Sequence, residues 1–220
     1  MLMCISNLLT PEETARLRAI AGKAEFDAGT LTAGRNIHDR KNNLQISDNA
    51  AGRDDVDQIV LQALQRNALF QSVALPKSVH RPTLSIYKDG MTYGSHVDAA
   101  IMNGMRADVS ITIFLKDPTS YDGGELTLVT GAGEQAIKLM PGDAVVYPTS
   151  AFHWVSPVTR GERLAAVTWA QSIIADADKR TVLHDLRMAI EQATRDTPDS
   201  ETIHLLVKTH ANLMRMWAEI

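Results

Sequence analysis

The residues with the clearest chemical potential lie in two short segments. The first is Tyr93-Gly94-Ser95-His96-Val97-Asp98, and the second, further along the chain, contains His153. On a β-strand, residues two apart point to the same side, so the imidazole of His96 and the carboxylate of Asp98 can meet one ion. An imidazole from a distant strand would complete a face of three ligands. We therefore predict a metal site formed by His96, Asp98 and His153.

Such a site leaves half of an octahedral coordination shell open. Two histidines and one carboxylate on one side of a metal ion form the arrangement used by non-haem Fe(II) oxygenases, whose chemistry needs the open positions. Arg163 follows His153 and begins a predicted strand. Its guanidinium is always charged and carries a planar fork of donors, so it can bind the far carboxylate of a dicarboxylate that chelates the metal at its other end.

Each of these residues also has an ordinary structural interpretation. His96 could be a hydrogen-bonded histidine at a strand end, His153 a core histidine beside Trp154, and Arg163 a surface charge after a turn. For any one residue alone, the ordinary interpretation is favoured. Their combination in this order, within a β-rich segment, favours the metal site.

The segment from Arg81 to Ile174 determines the predicted fold. Short β-branched and aromatic runs alternate there with Gly, Pro and Asp. This sequence pattern is typical of an all-β sandwich or barrel. About eight strands in so short a segment suit a jelly roll better than a parallel sheet. The clearest predicted strands are Thr83–Tyr87, Val109–Leu115, Glu125–Thr130, Gln135–Leu139, Asp143–Pro148 and Arg163–Gln171.

Helices are predicted on both sides of this segment. Thr10-Pro11-Glu12-Glu13 has the pattern of a capped helix start, and the helix should end near Gly22. Apolar residues at helical spacing predict a second helix over Asp54–Leu69. Helical spacing returns after Ile174, and Thr197-Pro198 should begin the last helix. The two C-terminal helices are predicted to have apolar faces formed by Val182, Leu183, Leu186 and Ile190, and by Ile203, Leu206, Val207, Leu213, Met214 and Trp217.

This order of elements predicts an α+β protein, with a double-stranded β-helix (jelly roll) core and helices at both ends. We expect residues 1–174 to form one domain. Residues 175–220 should form a helical extension that packs on the core or in the interface of a homodimer.

Composition narrows the classes of function. The net charge is -4 with Lys and Arg scattered along the chain, which gives no electrostatic footprint for nucleic acid. Cys4 is the only cysteine, so an oxidising compartment is not needed. The first residues lack a basic segment, and no apolar run approaches the ~20 residues that a bilayer requires. We therefore predict a cytoplasmic protein without a membrane span.

Further motifs support a family resemblance. They comprise Lys41-Asn42-Asn43-Leu44-Gln45, Tyr87 with Gly90, Tyr93 to Asp98, Tyr121-Asp122-Gly123-Gly124-Glu125-Leu126, Pro141-Gly142-Asp143, Tyr147-Pro148, His153, Pro157 to Gly161 and Trp169-Ala170-Gln171-Ser172. With these motifs, the chain resembles the Fe(II)/2-oxoglutarate dioxygenases related to prolyl and lysyl hydroxylases, and more narrowly the bacterial PKHD-type hydroxylases. The resemblance spans roughly residues 35 to 190. A small departure is Ser95, since the family has other residues before the histidine.

The resemblance implies a function and a set of roles. His96, Asp98 and His153 would bind Fe(II), and Arg163 would bind the distal carboxylate of 2-oxoglutarate. Tyr87 would donate a hydrogen bond to the same cosubstrate, although a half-buried strand tyrosine is an equal alternative. The enzyme would couple decarboxylation of 2-oxoglutarate by O2, giving succinate and CO2, to hydroxylation of a substrate, with L-ascorbate as a supporting reductant.

Two other functions stay open at this point. One is a non-catalytic jelly roll that binds iron or 2-oxoglutarate as a regulatory module, against which the intact set of ligands argues. The other is a cupin-type metalloenzyme that uses no oxo-acid, against which Arg163 argues.

Other suggestive residues have ordinary explanations. Gly131-Ala132-Gly133 lacks the third glycine of a dinucleotide loop and is interpreted as a hairpin turn. Glu201 and His204 have the spacing of di-iron ligands, but the chain has no second copy of that motif. We therefore expect five histidines and the cysteine not to be ligands: His38, His80, His184, His204, His210 and Cys4.

Overall fold

The structure is a computed structural model that describes residues 1–32, 40–198 and 200–219. The helices are α1 (Pro11–Ala21), α2 (Arg53–Arg66), α3 (Ala68–Ala74), α4 (Ala177–Asp196) and α5 (Glu201–Trp217). The strands before the first histidine of the predicted site are β1 (Met3–Ile5), β2 (Phe26–Ala28), β3 (Lys41–Asn42), β4 (Leu44–Ile46), β5 (Pro76–Val79) and β6 (Thr83–Lys88). The remaining strands are β7 (Thr92–His96), β8 (Ile101–Met102), β9 (Met105–Arg106), β10 (Val109–Phe114), β11 (Leu126–Thr130), β12 (Gly133–Ile137), β13 (Ala144–Pro148), β14 (His153–Val155) and β15 (Glu162–Ser172).

Two antiparallel sheets form the core. The major sheet has the order β1-β13-β10-β15-β6-β4-β2, with β5 also paired to β15, and the minor sheet has the order β12-β11-β14-β7-β3. Strands β8 and β9 form a separate hairpin. Neighbours in space are often far apart in the chain, as in the pairing of β10 with β15. The predicted α+β jelly roll with helices at both ends is confirmed.

The major sheet separates two apolar clusters, and alternation along β10 shows how. Val109, Ile111 and Ile113 belong to the larger cluster, together with residues of α1, α2 and α3. Phe114, one residue out of phase with them, belongs to the second cluster, which also contains residues of β11, β12 and β14 in the minor sheet. Helices therefore cover the outer face of the major sheet, while its inner face opposes the minor sheet.

The N-terminal region follows the prediction at α1 and departs from it at α2. The Thr10 side chain accepts from the N–H of Glu13, and the Glu13 carboxylate accepts from the N–H of Thr10, so the predicted capping box is present. The single helix predicted over Asp54–Leu69 is wrong, because α2 ends at Arg66. Asn67 has extended backbone angles, and its side chain accepts from the N–H of Phe70 at 2.8 Å to begin α3.

The C-terminal helices also depart from the prediction in detail. The last helix does not begin at Thr197-Pro198, because Ser200 caps α5 with its side chain and Thr197 ends α4. Val182 is exposed and lies outside the buried face of α4 that contains Leu183.

Helix α5 packs against α4, and the apolar stripe predicted for it is only partly buried. Its residues are half-buried except Val207, which is exposed. No helix of the described residues is long and apolar enough to span a bilayer.

Candidate active site

The two sequence-predicted histidines face each other across neighbouring strands of the minor sheet. His96 is the last residue of β7, His153 is the first residue of β14, and the two are directly paired in the antiparallel register. Asp98 lies beyond the end of β7, so a loop rather than strand alternation holds it. Its backbone N–H donates to the carbonyl of Thr149 at 3.3 Å, which fixes this loop on the segment that precedes β14.

The three side chains converge on one point. One nitrogen from each histidine and one oxygen from Asp98 all lie within 4.8 Å of one another. Asp98 Oδ1 lies 3.8 Å from His96 Nε2 and 3.7 Å from His153 Nε2. The exposed fractions of the His96, Asp98 and His153 side chains are 2%, 9% and 6%. Among the residues that the structure describes, this is the one cluster of three or more such side chains close enough to hold a metal ion.

Backbone carbonyls determine which imidazole nitrogen faces the centre of the cluster. His96 Nδ1 lies 2.8 Å from the carbonyl of Gly94, and His153 Nδ1 lies 2.9 Å from the carbonyl of Ala151. Because a carbonyl oxygen only accepts, each Nδ1 must carry its hydrogen and donate. In the neutral rings both Nε2 atoms therefore present lone pairs towards Asp98 Oδ1, as metal ligation requires.

The surroundings keep His96 uncharged. Burial, together with the neighbouring His153, lowers the pKa of His96 to about 4. The Tyr93 ring stacks on the His96 ring with a centroid distance of 3.7 Å, and burial raises the pKa of Tyr93. At neutral pH the imidazole of His96 can thus donate a lone pair without first losing a proton.

The second oxygen of Asp98 has partners of its own, which sequence reasoning missed. Ser110 Oγ donates to Asp98 Oδ2 at 2.6 Å, and Trp169 Nε1 donates to the same oxygen at 2.9 Å. For Trp169 the sequence contained a signal, since it lies an even number of residues from Arg163 on β15 and so shares its face. No comparable signal connects Ser110 to Asp98.

Arg163 is buried between the sheets, so its interpretation as a surface charge is wrong. The residue is 2% exposed, and its Nε has no hydrogen-bond partner among residues 1–32, 40–198 and 200–219. The guanidinium carbon lies 5.1 Å from the Tyr87 ring centroid and 5.4 Å from that of Phe114. Aromatic faces attract a cation but provide no acceptor for its N–H donors. This charged fork is therefore well suited to an anion that is not part of the protein.

Tyr87 lies directly across the sheet from Arg163. It is buried, and this burial raises its pKa to about 12, while Arg163 and a hydrogen bond with the Asn43 side chain act in the opposite direction. Burial raises the pKa of Tyr147 as well. For both tyrosines the carboxylate of Asp98 raises the pKa further, while the charge of Arg163 lowers it. The Tyr147 and His153 rings are inclined at 66° to each other, with centroids 5.1 Å apart. The two tyrosines thus belong to one interior shared by the cation and the three-residue cluster.

A buried lysine adjoins this interior. Lys41, on β3, pairs with Tyr93 on β7, and its ammonium lies 5.3 Å from the Tyr93 ring centroid. The residue is 7% exposed, and burial lowers its pKa to about 8. Lys41, which pairs with Tyr93, and Asn43, which hydrogen-bonds with Tyr87, therefore lie beside the candidate site.

The other four histidines that the structure describes are not part of the cluster. His80 and His184 are both buried, and His184 Nδ1 lies 2.8 Å from Ser72 Oγ on α3. His204 and His210 lie on α5. The prediction for His38 falls outside the described residues.

Comparisons with known proteins agree with this geometry. Residues 82–171 match the 2OG-Fe(II) oxygenase superfamily, and residues 177–219 match the PKHD-type hydroxylase C-terminal domain. A PKHD-type hydroxylase of Synechococcus sp. is 42% identical over 224 residues, and one of Maricaulis maris is 46% identical over 220 residues. Each of these matches covers 100% of both chains.

The chain belongs to the PKHD-type hydroxylase family. It is therefore an Fe(II)- and 2-oxoglutarate-dependent dioxygenase that hydroxylates a substrate, as the sequence analysis predicted. Fe(II), 2-oxoglutarate and O2 accordingly belong to its reaction.

Solved structures show the same fold for this hydroxylase. A Pseudomonas putida prolyl-4-hydroxylase aligns with a TM-score of 0.56 and 20% identity, covering 78% of this chain and 92% of that chain. A Trichoplax adhaerens prolyl hydroxylase, solved in complex with a peptide fragment of the hypoxia inducible factor oxygen degradation domain, aligns with a TM-score of 0.54 and 15% identity. That alignment covers 83% of this chain and 86% of the other.

Proposed function

We propose that His96 Nε2, Asp98 Oδ1 and His153 Nε2 bind the Fe(II) of this hydroxylase. The donor set fits the ion, because two neutral imidazole nitrogens and one carboxylate oxygen on one side are the ligands of non-haem Fe(II) oxygenases. The carbonyls that accept from both Nδ1 atoms orient the rings for this task.

The buried guanidinium of Arg163 supports the other half of the proposal. A charge removed from water is costly unless it is paired, and Arg163 Nε has no hydrogen-bond partner in the part of the chain that the structure describes. We infer that the distal carboxylate of 2-oxoglutarate binds there, and that the Tyr87 hydroxyl donates a hydrogen bond to the same cosubstrate. Both side chains adjoin the interior that contains Asp98 and Tyr147.

In this assignment the protein orients the cosubstrate and excludes water from the reacting groups. When bound, Fe(II) and 2-oxoglutarate would supply the electrons that activate O2, so that one oxygen atom enters succinate, formed with CO2, and the other hydroxylates a C–H bond. Arg163 fixes one end of the cosubstrate, so that its oxo-acid end is held towards the three ligand atoms. The apolar lining from Phe114, Leu126 and Val155 excludes water from the surrounding space.

The Arg163→Met variant tests this assignment. Removing one partner of a buried, hydrogen-bonded ion pair costs enough to weaken binding roughly 30- to 3,000-fold. We expect this loss for 2-oxoglutarate in an anaerobic titration of the Fe(II)-loaded protein, followed by the visible absorption of the chelate. Arg163→Lys should restore only part of the affinity, because lysine keeps the charge and loses the fork.

Two controls make the titration decisive. Arg160→Met removes an exposed arginine that pairs with Asp122 and should leave the dissociation constant unchanged. Equal dissociation constants for the wild-type and Arg163→Met proteins would contradict the assignment. Succinate formation on addition of a substrate, tested with peptides, amino acids and siderophores, separates a catalyst from a regulatory module that only binds the cosubstrate.

We further propose that L-ascorbate sustains turnover by reducing iron that oxidises in cycles without substrate. Product formed per enzyme should then level off early without ascorbate and continue with it. The same plateau with and without ascorbate would contradict this proposal.

We also propose a homodimer formed through the C-terminal helices, in a cytoplasmic protein. No residue of α5 is fully buried, and its Leu205, Val207 and Met216 are exposed. Sedimentation at micromolar concentration should give the mass of two chains, and Val207→Lys should reduce it to one. A monomer in both proteins would contradict the dimer. The cytoplasmic location is supported by the single cysteine, since no intrachain disulfide can form. Cell fractionation that places the protein outside the cytoplasm would contradict it.

A further inference from the structure

The oxygen of Asp98 that faces away from the histidines has two donors of its own. Ser110 Oγ and Trp169 Nε1 reach Asp98 Oδ2 at 2.6 Å and 2.9 Å, while Oδ1 is the atom that faces both imidazoles. Ser110 on β10 and Trp169 on β15 are directly paired across the major sheet. Their side chains lie side by side and meet at one acceptor.

The chemistry of these donors fixes the orientation of the carboxylate. An indole N–H only donates, so the oxygen that it meets must accept. Ser110 is fully buried and Trp169 is half-buried, so little water competes for Oδ2. A carboxylate that accepts two short hydrogen bonds on one oxygen cannot rotate without losing both.

We infer that Ser110 and Trp169 are positioning residues that restrict Asp98 to one-oxygen ligation of the metal. This inference rests on the metal site proposed above. A carboxylate can bind a metal through one oxygen or through both, and two-oxygen binding would occupy a position that the cosubstrate or O2 needs. The two hydrogen bonds hold Oδ2 away from the metal, so that the coordination position it would otherwise occupy stays open.

The two donors and the two histidines come from different sheets. His96 and His153 belong to the minor sheet, whereas Ser110 and Trp169 belong to the major sheet, as does Arg163. The contact at Asp98 Oδ2 therefore aligns the metal ligands with the sheet that carries the cosubstrate's anion site. Trp169 and Arg163 lie on the same strand, β15.

The test measures Co(II) binding anaerobically in Trp169→Phe, Ser110→Ala and the double variant. Loss of hydrogen-bonding partners of a metal ligand typically weakens metal affinity about 10- to 100-fold, and we expect this for the double variant. The visible spectrum of bound Co(II) reports its coordination number, and a change towards two-oxygen ligation should appear in the variants. Trp217→Phe, on α5, is the matched control and should bind Co(II) like the wild-type protein.

The outcomes separate this inference from the assignment on which it rests. Failure of the wild-type protein to bind Co(II), or binding unchanged in Asp98→Ala, would overturn the metal site and this inference with it. Tight binding by the wild-type protein, with the same affinity and spectrum in every one of the three variants that folds, would overturn the positioning role alone, even if melting temperatures fell. Ser110→Ala removes a single buried oxygen, so it keeps the test decisive if Trp169→Phe does not fold.

Discussion

The ammonium of Lys41 is desolvated by folding, and its protonation should therefore affect stability. Burial lowers its pKa from 10.5 to about 8. Between these two values the unfolded chain binds the proton and the folded chain does not, so the free energy of unfolding should rise with pH across this window. Below pH 8 the buried charge opposes folding.

The Lys41→Met variant tests this expectation in the metal-free protein. It should be more stable than the wild-type protein at pH 7.5, and the wild-type protein should recover about 1–3 kcal/mol relative to it by pH 10.5. Denaturant unfolding at several pH values provides the measurement. Lys77→Met, at a position exposed on β5, serves as a control. Parallel curves for wild-type and Lys41→Met proteins would contradict the expectation.

The members of the candidate site could be proposed from the sequence because their chemistry is visible in it. The residue types of His96, Asp98, His153 and Arg163 carry the information, and the structure brings the first three together. Ser110 carries no such information: it is a small polar residue in an apolar strand, and its role depends on a cross-strand register with Trp169 that no local pattern encodes.

At the scale of elements, the turn before β11 depends on a glycine. Gly123 has φ of 73°, and a Cβ placed there would lie 1.9 Å from the carbonyl oxygen of Pro157. An alanine must therefore adopt a left-handed conformation and also displace neighbouring backbone. The conformation alone costs roughly 1–3 kcal/mol, and we expect Gly123→Ala to exceed this in chemical denaturation.

Two glycines of one hairpin separate these effects. Gly133→Ala places a side chain at φ of 94° with no atom within 4 Å, so it should show the conformational cost alone. Gly131→Ala also has no atom within 4 Å and no positive φ, so its stability should change little. A Gly123→Ala protein no less stable than Gly133→Ala would show that the contact with Pro157 is relieved without cost.

Element types could be predicted better than element ends. The β-branched runs identified the long strands to within about two residues, since such residues suit a pleated surface. The break between α2 and α3 was missed because apolar spacing continues through it, from Ala63 and Leu64 to Phe70, all of which are buried. Helix α2 ends before Asn67 because the side chain of this residue accepts from the backbone N–H of Phe70 and so begins a new helix.

At the scale of the whole molecule, a buried arginine at the start of α4 links this helix to the core. Arg180 is 4% exposed and donates to the carbonyls of Ile174 at 2.7 Å, Ala175 at 2.8 Å and Asp108 at 3.2 Å. Arg180→Met removes this donor from all three carbonyls, although that of Asp108 still accepts from the N–H of Thr149 at 3.4 Å. We expect a loss of roughly 2–4 kcal/mol in the free energy of unfolding.

An exposed arginine on the same helix provides the comparison. Arg187 pairs with Glu191 one turn along α4, and its side chain is 42% exposed. Exposed pairs of this kind contribute about 0.3–0.5 kcal/mol, so Arg187→Met should have a small effect. Similar losses in the two variants would show that the carbonyls contacted by Arg180 find water instead.

The order of strands could not be predicted from local patterns. The sequence indicated many short antiparallel strands, but not that β13 lies between β1 and β10, because that order depends on pairings between distant segments. The arrangement of the two C-terminal helices likewise depends on contacts such as that of Ser72 with His184.

The eleven-residue strand β15 has a consequence for the choice of oxo-acid. Arg163 and Trp169 lie six residues apart on it, which at about 3.3 Å per residue fixes their backbones ~20 Å apart. Pairing with β6 and β10 on both sides prevents the strand from sliding. Under the proposed assignment, the distance between anion site and metal is thus set by backbone. Oxaloacetate, one methylene shorter than 2-oxoglutarate, should fail to reach both ends and should bind far more weakly in the same anaerobic titration.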